Sequence, residues 1–75
     1  MKTAKINVGD VLISLPVEYL VQQAAISSVF ENVPIDSVDV SALIEANKHG
    51  IAWYYTNERN ALHISVPTEL IKWED

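Results

Sequence analysis

The two histidines are considered first, because histidine is the usual acid–base group near neutral pH. His49 stands at the end of a segment predicted to be helical, where the helix dipole stabilises an imidazolium, so we interpret it as a capping residue. His63 is placed opposite Tyr54 in a predicted hairpin, where a cross-strand contact is enough to explain it. Neither belongs to an HxH or HExxH spacing. The pattern therefore predicts no catalytic or metal-bound histidine.

The other reactive groups also lack a catalytic arrangement. Neither glycine lies in a GxGxxG or phosphate-loop pattern, and no serine stands in a GxSxG elbow. The chain contains no cysteine, which excludes disulfides and thiolate metal ligands. The neighbouring carboxylates Asp36 and Asp39 flank a predicted helix start, where acids are stabilised in any case. We therefore expect no enzymatic activity, no cofactor and no metal.

Three consecutive aromatic residues, Trp53 to Tyr55, raise the question of nucleic-acid stacking. Because side chains alternate along a strand, Trp53 and Tyr55 share one face and Tyr54 lies alone on the other. The net charge of −5 disfavours a protein that binds the phosphate backbone. Two alternatives related to nucleic acid stay open: a winged helix-turn-helix regulator with Arg59 at the wing tip, and an acidic mimic of nucleic acid.

We expect these residues to be positioned by a single domain, residues 1–75, since the chain has no room for a second core. Residues 4–15 predict a β-hairpin around a type II′ turn at Gly9-Asp10. Residues 51–66 predict a second hairpin that turns near Glu58-Arg59. Each hairpin has one wholly apolar face, formed by Ala4, Ile6, Val8, Val11, Ile13 and Leu15 in the first and by Ile51, Trp53, Tyr55, Leu62, Ile64 and Val66 in the second.

Two helices are predicted between the hairpins. The first runs from Val17 to about Glu31, after Pro16 in a position that favours a first helical turn. The second runs from about Asp39 to His49, with Asp39 or Ser41 as its N-cap, Gly50 just beyond its end, and an apolar face of Val40, Leu43, Ile44 and Asn47. We see no internal repeat. The predicted fold is α+β with the order ββααββ: two hairpins forming an antiparallel sheet, two helices packed on one face, and a short C-terminal helical turn, capped by Thr68, through Leu70, Ile71 and Trp73.

The first predicted helix carries two apolar stripes, whereas a surface helix usually has one. The larger stripe consists of Tyr19, Ile26 and Phe30. Since a chain of this length offers few layers to cover both stripes, we predict that the larger one is a protein interface. Its polar rim would be formed by Glu18, Gln22, Gln23 and Glu31. In the alternative interpretation, the second helix or the segment around Trp73 covers the stripe and makes it part of the core.

Small size, acidity and the lack of a catalytic arrangement are typical of proteins that act by binding. We hypothesise a small acidic protein-interaction module: an adaptor, or a regulator or inhibitor of a larger machine of the kind phages and mobile elements encode, with homodimer formation as a further mode. Because Lys and Arg are absent between Ile6 and Asn47, we expect a partner with a basic surface rather than nucleic acid. The sequence shows neither a signal-peptide pattern nor an apolar segment of about 20 residues, so we expect a cytoplasmic location and no membrane partner.

Overall fold

The computed structural model describes residues 2–75 as two antiparallel sheets, one α-helix and three single 3-10 turns. The first sheet has the strand order β2-β1-β7, and the second has the order β3-β4-β6-β5. The strands are β1 (Thr3–Val8), β2 (Val11–Pro16), β3 (Leu20–Gln23), β4 (Ser27–Pro34), β5 (Ala52–Thr56), β6 (Ala61–Pro67) and β7 (Ile71–Glu74). The helix α1 spans Val40–Asn47, and the 3-10 turns span Val17–Tyr19, Ile35–Ser37 and Thr68–Leu70.

Both predicted hairpins are confirmed, with the predicted registers. In the first, Ile6 pairs with Ile13 and Ala4 with Leu15, and all four side chains are buried. Gly9 has a φ of +57°, the positive value that the first central position of a type II′ turn requires. In the second hairpin, β5 pairs with β6 so that Trp53 faces Ile64 and Tyr54 faces His63. The turn chemistry and the apolar alternation therefore specified the same register in each hairpin.

The first predicted helix is wrong, and with it the ββααββ order and the two-helix α+β fold. Residues 17–31 form a 3-10 turn, the strand β3 and most of the strand β4. Ser28, Phe30 and Val33 are buried on β4, which pairs with β6 along nearly its whole length. This distant pairing overrides the helical propensity of the segment, since strand formation depends on the neighbours that cover it. Ala24 and Ala25, which favoured a helix, lie in the loop between β3 and β4.

The loss of this helix also removes the basis of one functional alternative. A winged helix-turn-helix needs two successive helices, with the second one in the DNA groove. Residues 2–75 contain a single α-helix, and it follows strand β4 rather than another helix. The DNA-binding regulator is therefore not supported by the architecture.

The second predicted helix is present as α1, but a different face of it is buried. The Asp39 carboxylate caps its N-terminus by accepting hydrogen bonds from the Ser41 backbone N–H at 3.0 Å and the Ser41 hydroxyl at 2.8 Å. Leu43 packs into the core together with two small residues, Ala42 and Ala46. Val40 and Ile44, which were predicted to be covered, are exposed. The small alanines allow the helix to approach β2 and β5.

A short motif recurs three times along the chain, contrary to our expectation that it has no repeat. The motif is apolar–Pro–any–acid–any–apolar, and it occupies Leu15–Leu20, Val33–Val38 and Val66–Ile71. Each proline ends a strand, the next three residues form a 3-10 turn, and the N–H of the sixth residue bonds to the carbonyl of the third. Because proline fixes φ and cannot donate to the ladder, it stops the strand at the same point each time. The turns Val17–Tyr19 and Thr68–Leu70 connect the two sheets, and the turn Ile35–Ser37 leads to α1.

The core draws on both sheets and on the inner side of α1. Its largest fully buried side chains are Phe30, Ile6, Leu15, Leu43, Ile51, Leu62 and Ile64. The predicted C-terminal helical turn is present only as the 3-10 turn Thr68–Leu70; Ile71 and Trp73, which were predicted to belong to it, form part of strand β7 beside β1 because they pair with that strand. Within residues 2–75, no helix combines the length and the hydropathy needed to cross a membrane.

Candidate functional site

The structure does not bring the three residues of the predicted interface stripe to one surface. Phe30 is fully buried on β4, and its ring centroid lies 6.4 Å from that of Trp73. Tyr19 is half-buried in a 3-10 turn, whereas Ile26 lies in the β3–β4 loop with 82% of its surface exposed. The stripe existed only in the helical projection, so it disappears when the segment folds as a hairpin.

The four residues of the predicted rim are also separated. Glu18 is exposed in the first 3-10 turn, and Gln22 and Gln23 are exposed on β3. Glu31 lies on β4, where it takes part in a different arrangement: its Oε1 atom is 3.1 Å from Nδ1 of His63 on β6. This contact is the starting point of the site that the structure does assemble.

Three polar side chains form a row across the outer face of the four-stranded sheet. Glu31, His63 and Tyr54 come from the adjacent strands β4, β6 and β5. The rings of Tyr54 and His63 are stacked, with centroids 4.6 Å apart and planes inclined by 16°. We name these three residues the cross-strand row.

A β-bulge in β4 positions the Glu31 end of the row. The register of β4 against β6 shifts between Phe30 and Val33, and Asn32 adopts a φ of +60°, a conformation that asparagine tolerates better than most residues. The Asn32 side-chain oxygen accepts a 3.0 Å hydrogen bond from Nη1 of Arg59, which reaches over from the β5–β6 turn. Bulges of this kind often re-aim side chains next to functional sites.

The row and the bulge enclose one side of a shallow polar groove. Its volume is about 260 Å³, and its lining consists of Glu31, Asn32, Tyr54, Thr56, Glu58, Arg59, Ala61, Leu62 and His63. A carboxylate–imidazole pair is suited to proton transfer. However, within residues 2–75 no group of three or more His, Asp or Glu side chains is placed to hold a metal ion. The groove contains a guanidinium, an imidazole, two carboxylates and an exposed phenol.

Among the side chains of residues 2–75, the clear shift in pKa belongs to Asp39 at the helix cap. The hydrogen bond from the Ser41 hydroxyl, followed by that from the Ser41 backbone N–H, holds the pKa of Asp39 below its ordinary value. Asp39 is fully exposed and stabilises the start of α1. Its pKa therefore reflects helix capping rather than chemistry at the groove.

Strand β5 presents an unprotected edge next to the cross-strand row. Sheet edges are normally blunted by charged residues, proline or bulges, because their free N–H and C=O groups can pair with another chain. The other three edge strands follow this rule: β2 ends at Pro16, β3 has a register shift, and β7 carries Lys72 and Glu74. The sequence of β5, Ala-Trp-Tyr-Tyr-Thr, contains neither charge nor proline, and its register with β6 is regular.

Four of the seven exposed large apolar side chains within residues 2–75 lie on β5 or on α1, which contacts it; the other three are Leu12, Val21 and Ile26. Val40 and Ile44 on α1 are 47% and 58% exposed, and Tyr54 and Tyr55 on β5 are 57% and 43% exposed. We name these four residues the β5 surface. The helix is held beside β5 by a 3.1 Å hydrogen bond from Nε1 of Trp53 to the Leu43 carbonyl. Tyr54 and Tyr55 point to opposite faces of the sheet, so the β5 surface lies on both sides of the free edge.

The other side of α1 faces the first hairpin. Glu45 and His49 lie beside Gly9 in the β1–β2 turn. By helical periodicity, Val40 and Ile44 project to a different side of the helix from Glu45 and His49. They are one turn apart and therefore neighbours on that side. The exposed apolar pair consequently lies on a side of α1 that does not face the first hairpin.

A second groove, of about 350 Å³, lies on the outer face of the three-stranded sheet. Lys5 on β1 and Lys72 on β7 are directly opposite each other there, and Leu12 and Leu70 provide apolar lining. The Lys5 ammonium donates to the Ser14 hydroxyl at 3.1 Å. Within residues 2–75, neither lysine has a carboxylate within ion-pair distance. This face thus brings two lysines together, with the Glu74 carboxylate also lining the groove.

Sequence reasoning found part of the cross-strand row. The contact between Tyr54 and His63 follows from the hairpin register and is confirmed. Glu31 was missed as its third member because its segment was predicted to be helical. The alternation of Ser28 and Phe30 was the available signal for a strand there. The free edge of β5 depends on the strand order of the whole sheet, which no local pattern specifies.

Comparison of the chain with protein-family models, with curated proteins and with solved structures yields no match. Functional inference therefore rests on the geometry of the β5 edge and of the cross-strand row. These two features are adjacent, because Tyr54 belongs to both.

Proposed function

We propose that this protein is a binding module that takes up an extended segment of a protein partner along the free edge of β5. The observation that carries the proposal is the edge itself: β5 lacks the charge, proline or bulge with which the other edges are protected. In binding by strand addition, main-chain hydrogen bonds supply affinity and alternate side chains supply specificity. The role that follows is that of an adaptor, or of a regulator or inhibitor that acts by occupying a surface.

The backbone of β5 is free to pair on its outer side. Its inter-strand partner is β6, and within residues 2–75 no loop or helix donates a main-chain hydrogen bond to residues 52–55 or accepts one from them. An added strand would meet Tyr54 on one face of the sheet and Tyr55 on the other, the face on which Trp53 is bonded to α1. Aromatic residues are the side chains most enriched where binding energy is concentrated.

The short edge limits the strength of the interaction. Five residues of β5 and one exposed side of α1 correspond to an interface at the low end of the usual size range, below about 1,200 Å². Interfaces of this size are characteristic of transient contacts, so we expect a dissociation constant on the order of micromolar. Such an affinity suits a regulator that is exchanged between partners.

Charge favours a basic partner over a second copy of the chain. The protein carries a net charge of −5, and Glu31 and Glu58 line the groove next to β5. Two copies meeting at this edge would bring like charges together, whereas a basic segment would be attracted and would associate faster. We therefore propose a heterologous complex with an extended basic segment, and treat homodimer formation as an outcome of the test.

The test uses displayed random peptides of about 12 residues as the probe for strand addition. We expect selected peptides to alternate apolar and basic residues and to shift the backbone amide resonances of residues 52–56 in NMR titrations. The Ile44→Ser variant should weaken their binding at least fivefold, because burial of an isoleucine side chain contributes about 1.5–3 kcal/mol when complete. Ile26→Ser is the matched control, since Ile26 is more exposed and lies in the β3–β4 loop, away from α1 and β5 in the sequence.

Three results would overturn the proposal. The first is that bound peptides shift resonances outside β5 and α1, and the second is that Ile44→Ser and Ile26→Ser weaken binding equally. The third is that light scattering detects a dimer which competes with the peptides, because the edge would then be a site for a second copy. Circular dichroism and urea unfolding establish that both variants remain folded.

A further inference from the structure

The stacking direction of the cross-strand row points beyond the sheet. The centroids of Tyr54 and His63 are 4.6 Å apart, close to the spacing of about 4.7–4.9 Å between neighbouring strands. Their planes are nearly parallel, so the stack runs from strand to strand across the outer face. Since β5 is the edge, the ring face of Tyr54 that is not against His63 is turned towards the side where the sheet ends.

A strand added to β5 would continue this stack. It would lie one strand spacing beyond β5, and the side chain opposite Tyr54 would stand at stacking distance from the free ring face. Tyr54 is 57% exposed, which leaves that face accessible. The identity of this one partner side chain is therefore constrained by the chemistry of the phenol ring and of the charges around it.

We propose that the partner segment presents an arginine opposite Tyr54, whose guanidinium stacks on the free face of the Tyr54 ring and extends the row Glu31–His63–Tyr54 by one member. This inference rests on the proposed strand addition at β5. The face of a tyrosine ring carries negative electrostatic potential and attracts a cation placed over it. A guanidinium is planar and weakly hydrated, so it stacks on the ring, whereas an ammonium remains a strongly hydrated point charge.

The surrounding charges agree with a cation at this position. The groove contains the carboxylates of Glu31 and Glu58. The guanidinium of Arg59, which also lines the groove, is hydrogen-bonded to Asn32 on β4. Strand β6 lies between β4 and β5, so the Arg59 guanidinium is held near the opposite end of the row from the free ring face. A second copy of β5 offers no such cation, because its sequence is uncharged.

The inference is tested with the strand-pairing peptides that display selects. The residue opposite Tyr54 is identified by nuclear Overhauser contacts, and each peptide is resynthesised with arginine, lysine or citrulline there. Citrulline is planar but neutral, and lysine is charged but not planar, so the two controls separate charge from shape. We expect the arginine peptide to bind about three- to fivefold more tightly than either control, the range for an exposed cation–π contact.

Variants of the ring complete the test. Tyr54→Phe should keep the preference for arginine, because the ring face is retained, and Tyr54→Leu should abolish it. The arginine side-chain protons should also move upfield in the complex with the unmodified protein. Equal binding of all three peptides at β5 would refute the arginine contact and leave strand addition intact. Peptides that bind elsewhere, or nowhere, would refute both proposals together.

Discussion

Truncation of Phe30 to alanine separates the observed fold from the helix that the sequence predicted. In the structure Phe30 is fully buried on β4, opposite Leu20 and Ile64, with the Trp73 ring beside it. Removal of a buried phenylalanine side chain typically lowers the free energy of unfolding by about 3–5 kcal/mol. A domain of this length has a total of roughly 4–11 kcal/mol at about 0.05–0.15 kcal/mol per residue. Phe30→Ala should therefore remove a large part of the free energy of unfolding or prevent folding.

Ile26→Ala is the contrasting variant. Ile26 is 82% exposed, so its truncation should change the free energy of unfolding by no more than about 0.5 kcal/mol. If Phe30 and Ile26 lay in one stripe of a helix, the two truncations would instead lower the free energy of unfolding by similar amounts. The comparison therefore examines the environment of each residue rather than its hydrophobicity.

Urea unfolding followed by tryptophan fluorescence measures both effects, because Trp53 and Trp73 are half-buried reporters. The thermal midpoint should fall by at least about 12 °C for Phe30→Ala, at about 4–8 °C per kcal/mol for a domain of this size. If Phe30→Ala does not fold, Phe30→Leu should still show a clear, smaller loss. A loss below about 1 kcal/mol for Phe30→Ala, or a loss for Ile26→Ala as large as that for Phe30→Ala, would refute the placement of these residues.

Three further predictions concern local features. Asp39→Ala should lower the thermal midpoint at pH 7, because it removes the carboxylate that caps α1. The hydrogen bonds from Ser41 depress the pKa of Asp39 in the folded state. The ionised carboxylate therefore contributes fully to the free energy of unfolding above the unfolded pKa of about 3.9, and this contribution is lost as the pH falls through the lower folded value. Asp39→Asn keeps a cap acceptor but does not titrate, so it should lack the acid-dependent loss of stability that the unmodified protein shows; identical pH profiles for the unmodified protein and Asp39→Asn would contradict the mechanism. Gly50→Ala should cost about 1–2 kcal/mol in urea unfolding, because Gly50 has a φ of +92°, and an unchanged midpoint would contradict that backbone conformation. Lys72→Glu should raise stability by about 0.2–1 kcal/mol by replacing a like-charge pair with Lys5 by an opposite-charge pair, and the gain should vanish in 1 M salt.

The parts of the fold that could be predicted are those where several local signals agree. In the first hairpin, the glycine of the Gly9-Asp10 turn and the apolar alternation on either side specify one register. At α1, the Asp39 cap marks where the helix begins. In residues 17–31 the local signals conflict, because Pro16 and the alanines favour a helix while the buried residues alternate as in a strand. There the distant pairing of β4 with β6 decides the structure.

The three proline motifs show why Pro16 was misread. A proline that follows an apolar residue and precedes an acid two positions later suits a first helical turn as well as the 3-10 turn that the chain forms. One copy of the motif cannot separate these outcomes. Three copies can, because Pro34 and Pro67 follow segments with strand alternation, and all three turns end with the same hydrogen bond. The repeat is only six residues long and its copies are unevenly spaced, so a search for regular periodicity does not detect it.

The position of Glu31 in the cross-strand row depends on the bulge in β4, and the spacing of buried residues along the sequence indicates this bulge. Buried residues on a regular strand are two apart, as Ser28 and Phe30 are, but the next buried residue is Val33, three positions further on. An odd interval between residues on one face requires an extra residue, and Asn32 takes it up with a positive φ. The same asparagine accepts the hydrogen bond from Arg59, so the residue that corrects the register also positions a cation of the groove. Strand periodicity thus specifies the bulge once the segment is known to be a strand. That the segment is a strand at all depends on its pairing with β6.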